Sequence, residues 1–226
     1  MEKTMLKYEN DNYILYYDKY DLKYLEKLIN TLNERVPNIL EFFKLKTIRK
    51  ITIKLYNNLN DYKENITNSF KKEFLDGNSA VERQYESWMI ANTEDGNINM
   101  LSLDLVKQIE GFELYTEEEF CYNIAHEFTH ICQQEIKSDS PGWFWEVLAT
   151  TLGNPECQRE TNDKFTLDDL NNNFDKIDGY SAVYKIGKYL FENYDKEFIL
   201  ELTHDNEKLK MIISDVISNL NTIKKH

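Results

Sequence analysis

His126-Glu127-Phe128-Thr129-His130 is the stretch from which the rest of this 226-residue chain is read. It has the form H-E-x-x-H and sits in a run with helical spacing. Positions i and i+4 of a helix lie one turn apart on one face, so the two imidazoles can reach a single small cation together. Zinc suits such a pair, because neutral imidazole is a good ligand and a four-coordinate site accepts the geometry. Glu127 flanks the pair without joining it. There it can take a proton from a water held by the metal.

Two histidines leave a catalytic zinc one protein ligand short. Glu146 is the candidate for the third. Between His130 and Glu146 the chain can finish one helix, turn at Asp139-Ser140-Pro141 and start another that lies back against the first. Glu146 is set among Trp143, Phe144, Trp145, Val147, Leu148 and Ala149, and a carboxylate in so apolar a helix is not buried without a partner. Glu135 is nearer in sequence, but it lies on the same helix as His130 and points too far along the axis. Thr150, one turn after Glu146, is placed either to hydrogen-bond a ligand or to bond a backbone carbonyl.

Upstream of the motif, Thr116-Glu117-Glu118-Glu119 is a capping box that opens the motif helix, and Phe120, Ile124, Phe128 and Ile131 anchor it. Downstream, Ser140 is expected to cap a helix with Pro141 at its first position, and Gly153-Asn154-Pro155 to stop that helix. Further helices are expected over 180–194, 196–202 and 206–220, with 165–174 a polar loop or short helix. The Asp/Asn-rich stretch 168–178 is not a calcium loop, because Phe174 stands where such a loop needs glycine; capping and loop solvation account for it.

The first half reads differently. Residues 12–17 form a strand. Asp18 to Phe43 has helical spacing, with Asp21 as its cap and Pro37 expected to kink or end it. Ile48 to Tyr56 alternates, with Ile51, Ile53 and Leu55 on one face, as in a strand; 59–74 is helical. Trp88 to Leu103, broken by Glu94-Asp95-Gly96-Asn97, is a β-hairpin. Ile98 to Leu101 is then either an edge strand that holds an extended peptide along a cleft, or an ordinary sheet strand. The fold class expected is α+β: a small mixed sheet from residues 1–113 packed on a helical half, 114–226, that carries the metal site, all in one domain.

Composition narrows the partners. Asp and Glu outnumber Lys and Arg 40 to 27, a net charge of −13, and no dense basic run occurs, which argues against nucleic acid. No apolar run approaches the length of a bilayer span, and no apolar segment follows Met1 as in a signal peptide. Cys121, Cys132 and Cys157 have no metal-binding spacing and read as reduced core thiols. A cytoplasmic protein with no membrane partner is the expectation; the oligomeric state is left open.

His126-Glu-Phe-Thr-His130, then Pro141-Gly-Trp-Phe-Trp-Glu146-Val-Leu-Ala149, then the helix that begins at Tyr180, together resemble the gluzincins. These are the thermolysin-like zinc metallopeptidases, and the likeness is to their short aminopeptidase-type, peptidase-MA-like catalytic domains. It covers roughly residues 85–205. The resemblance implies a zincin-like fold, zinc ligands His126, His130 and Glu146, Glu127 as general base, and hydrolysis of peptide bonds in a peptide or protein substrate. It also implies a tyrosine that steadies the oxyanion, with Tyr180 the positional match and Tyr184 the reserve. Val147 departs from the family pattern, which has glycine there. That departure motivates the alternative of a catalytically impaired zinc-binding member that serves as a protein-binding module. A narrow-specificity intracellular protease that cleaves one regulatory protein, and a metal-free helical domain, are further alternatives. The glycine-x-methionine-glutamate-asparagine motif of large aminopeptidases does not occur, so exopeptidase action is not implied.

Overall fold

The computed structural model describes residues 5–75, 84–154 and 164–222; Pro155, Cys157, His226 and the first four residues lie outside this range. The chain begins with β1 (Leu6–Glu9) and β2 (Tyr13–Tyr17), then a 3-10 turn over Lys19–Asp21 that leads into α1 (Leu22–Phe42). There follow β3 (Ile51–Tyr56), α2 (Leu59–Leu75), β4 (Ala91–Glu94), β5 (Asn97–Leu101) and the short α3 (Leu103–Val106). The helical half comprises α4 (Glu117–Glu135), α5 (Gly142–Gly153), α6 (Leu167–Asn172), α7 (Gly179–Asn193), α8 (Lys196–Glu201) and α9 (Asn206–Thr222).

The five strands form one mixed sheet in the order β1-β2-β3-β5-β4. The outer pairs β1/β2 and β4/β5 are antiparallel, and β3 runs parallel to β2 and to β5. Because strand side chains alternate, this register puts Leu15, Ile53, Ile98 and Met100 on one face, all fully buried. Thr93 shares that face through its pairing with Ile98. The face packs on the helices. One continuous cluster of buried side chains runs from Tyr13 through Phe128 and Phe144 to Ile217. A smaller cluster joins Tyr62, Ile66 and Phe70 of α2 to Tyr56 and Leu101 at the strand ends.

Of the two readings of Ile98–Leu101 the ordinary sheet strand holds: β5 pairs on both sides, with β3 parallel alongside it, and β4 is the edge of the hairpin. The hairpin itself turns at Asp95 and Gly96, with φ of +47° and +64°, the left-handed pair that a two-residue turn of this kind requires. Other local expectations are corrected. Pro37 does not end α1, which continues to Phe42. Pro37 and Asn33, whose carbonyl the ring leaves without its helical donor, are both exposed, while buried Val36, Ile39 and Leu40 hold the helix on both sides of the proline. Asp21 does not cap α1. Asp18 caps the preceding turn instead, and Asp21, buried, accepts from the Asp18 backbone N–H, the Tyr24 hydroxyl and Asn57. Helix α5 starts one residue later than expected, with Pro141 at its N-cap.

Candidate metal centre

Helix α4 is fixed at its start by the Thr116–Glu119 capping box. Phe120, Ile124 and Phe128 are fully buried and Ile131 nearly so. With that face committed to the core, Glu127 and His130 line a cavity of about 330 Å³ bounded by α2, β4, α4 and α5, and the His126 ring lies edge-on beside that of His130. Its walls include Phe70, Met89, Thr93, His130, Trp145 and Glu146.

After α4, residues 136–141 turn the chain back, and α5 packs along α4. This brings Glu146 to the two histidines. Glu146 Oε2 lies 3.2 Å from His126 Nε2 and Glu146 Oε1 lies 3.5 Å from His130 Nε2. The two Nε2 atoms are 3.1 Å apart, with the rings nearly perpendicular at 87°. Bonds of about 2.1 Å to a tetrahedral centre set neighbouring ligand atoms about 3.4 Å apart; the two ring nitrogens stand 3.1 Å apart, each ring faces a different oxygen of Glu146 at 3.2 or 3.5 Å, and with one ligand atom taken from each residue all three lie within 4.8 Å of one another. Glu146 Oε2 is covered from solvent and faces His126 Nε2 at 3.2 Å. A buried carboxylate oxygen with only imidazole nitrogens beside it is an environment a cation satisfies. His126, His130 and Glu146 are thus a group that could hold a metal ion. Glu135, at the far end of α4, is exposed and not part of it.

Charge favours the same assignment. Burial alone would raise the carboxyl pKa of Glu146, but the two imidazoles beside it outweigh burial and hold it below the ordinary value. It is ionised at neutral pH, as a ligand must be.

Glu127 is 8% exposed, and its Oε2 accepts a 2.8 Å hydrogen bond from Thr93 Oγ1 on β4. The edge of the sheet therefore orients the acid that flanks the ligand pair. Gln133, fully buried, lies within 2.8 Å of His130 Nδ1 through its Oε1 and donates from its Nε2 to the Trp145 carbonyl at 3.1 Å. The indole of Trp145 stacks on the His130 ring at 6.2 Å.

Compared with protein-family models, with curated proteins and with solved structures, this chain matches none. The case for a metal site therefore rests on the residues described above.

The remaining candidates are placed as follows. Tyr180 is the second residue of α7, 37% exposed, its ring edge-on to Phe174 at 5.5 Å. Neither it nor Tyr184 lines the cavity. Val147 is fully buried in the core and does not line the cavity either; Gly187 of α7 lies against the backbone behind it, where a Cβ would come within 3.3 Å of the Val147 carbonyl. Thr150 is buried with its hydroxyl unpartnered, so it caps no carbonyl. From the Asp/Asn-rich stretch, Asp169 closes the capping box that Thr166 opens on α6, and Asp178 caps α7. Cys121 and Cys132 are buried and free, and burial pushes the Cys121 thiol up to about 12. No helix among the described residues is long and apolar enough to cross a membrane.

Thr93 and Gln133 were not singled out from sequence, although a glutamine beside Ile131 and Cys132 on a core helix carries the same signal as Glu146: a buried polar group requires partners. Gly153 ends α5 and also lets it approach α4: a Cβ there would sit 2.6 Å from the His126 backbone nitrogen and 2.7 Å from its Cα, so the missing side chain lets the two helices touch at a residue of the candidate site. Gly153→Ala is expected to cost about 1–3 kcal/mol, because backbone atoms cannot move aside as side chains do. Urea denaturation would read this as a lower midpoint at unchanged slope.

Proposed function

We propose that this chain is a zinc-dependent metallopeptidase with a zincin-like catalytic domain of the gluzincin kind. The observation that carries the proposal is the convergence of His126, His130 and Glu146, each ring nitrogen within 3.5 Å of a Glu146 oxygen, at a cavity lined by His130, Glu146 and Glu127 and walled by the edge strand. The donor set of two imidazoles and one carboxylate is that of a catalytic zinc site, with a fourth position left for water or substrate. When bound there, zinc supplies Lewis acidity, which polarises a carbonyl and brings the pKa of water toward about 7.

Glu127 acts on the proton. Thr93 engages Oε2 and sets the plane of the carboxylate, so the other oxygen receives the proton from the attacking water and delivers it to the leaving amine. The substrate runs as an extended segment beside β4, the end strand of the sheet on the cavity side, paired through its main chain. Tyr180 or Tyr184 serves as oxyanion donor only if α7 or the substrate brings its hydroxyl to the cavity. Free, buried thiols at Cys121 and Cys132 support a reducing compartment such as the cytoplasm for this activity.

The test is hydrolysis of a mixed peptide library by protein with one zinc per chain. Cleavage is expected, lost on chelation and restored by zinc. A fully loaded protein that cleaves nothing above the buffer rate would overturn the proposal.

A further inference from the structure

We infer that the backbone carbonyl of Trp145 fixes the position of the ring proton on His130, acting through Gln133, and so makes Gln133 the positioning residue of the metal site. The inference deepens the metal reading above and rests on it for its consequence, though not for its geometry.

A backbone carbonyl can only accept a hydrogen bond. The group of Gln133 that lies 3.1 Å from the Trp145 oxygen must therefore be its NH₂, which leaves Oε1 facing His130 Nδ1 at 2.8 Å. An amide oxygen can also only accept. His130 must then carry its proton on Nδ1, with the lone pair on Nε2. The flipped amide would set two acceptor oxygens against each other around a side chain that is fully buried, out of reach of water. It would also put a ring proton on Nε2, aimed at His126 Nε2 and Glu146 Oε1, which lie 3.1 and 3.5 Å away.

The free histidine side chain favours the opposite tautomer, with its proton on Nε2, so the arrangement opposes the intrinsic preference and presents the nitrogen that faces the ligand cluster. The same amide ties α4 to the residue just before Glu146. One side chain thereby sets the donor atom of one ligand and the backbone next to another, in keeping with the partners that orient metal-bound imidazoles generally.

Nitrogen-15 NMR of histidine-labelled, metal-free protein at alkaline pH reads the tautomer directly, and chelator competition reads zinc affinity. Wild type is expected to show His130 protonated on Nδ1. Gln133→Met, close in shape but without donor or acceptor, is expected to shift His130 toward the Nε2-protonated form and weaken zinc binding roughly 10–100-fold. Gln133→Glu keeps an acceptor for Nδ1–H and is expected to retain the wild-type tautomer; circular dichroism checks that both variants fold. A wild-type His130 protonated on Nε2, or a folded Gln133→Met protein with tautomer and affinity both unchanged, would overturn the inference. Wild type with the Nδ1 proton but no zinc uptake would uphold the tautomer assignment and overturn the metal reading instead.

Discussion

Glu127→Gln lowers peptide hydrolysis by about 10³-fold and leaves zinc stoichiometry at one per chain: that is the expected outcome for an acid that moves protons without holding the metal. Positioned acid–base groups contribute roughly 10²–10⁴ in rate. Glu127 is placed for that work, since its carboxylate is engaged by Thr93 while the three ligand atoms belong to other residues. Glutamine is nearly isosteric and still accepts from Thr93 through its amide oxygen, so the change isolates proton transfer from packing. Initial rates on a peptide that wild type cleaves, with zinc measured on the same samples, make the comparison. Equal rates for the two proteins would remove Glu127 from the chemistry; a variant without zinc would make it part of the metal's support instead.

The second large effect concerns Glu146. It is the one carboxylate in the group of three and the only contribution from α5. Glu146→Ala leaves two histidines from one helix, and zinc affinity is expected to fall on the order of a hundred-fold or more. Stability reports the same loss. A ligand at a thousand times its Kd stabilises the native state by about 4 kcal/mol, and each kcal/mol moves Tm by roughly 2–4 °C in a chain of this size. Wild type is thus expected to melt on the order of 10 °C higher with saturating zinc than with chelator, and Glu146→Ala to show little difference between the two. Thermal melts in zinc and in chelator measure both. A variant that kept the full zinc-dependent rise would place the third ligand elsewhere.

What could be read from sequence divides by the range of the interaction. The capping box at Thr116, the i,i+4 histidines and the strand alternation at Ile51–Leu55 are decided within a few residues, and each appears as expected. Glu146 was within reach because the turn before it is short and its apolar neighbours require a partner for its charge. The edge strand was not. Whether β4 or β5 lies outermost depends on β3, more than forty residues earlier, choosing β5 as its parallel neighbour; the only local sign is that Ala91-Asn92-Thr93-Glu94 is polar and Asn97–Leu101 mostly apolar. Thr93 was hidden for the same reason, since its bond to Glu127 crosses from the sheet to the motif helix. Gln133 is local by contrast: a polar residue three positions past His130, with a core helix around it, has few places to send its amide. Tyr180 entered through family resemblance alone, and its side chain packs on Phe174 instead of lining the cavity.

Trp145 makes the centre observable. Its indole lies stacked on His130, while Trp88 is half exposed and Trp143 donates its ring N–H to Asn171. A ring so close to one ligand acts as a built-in lamp. Cobalt in place of zinc would dim it through energy transfer, so occupancy can be followed by the emission of the protein itself, with no dye and no substrate.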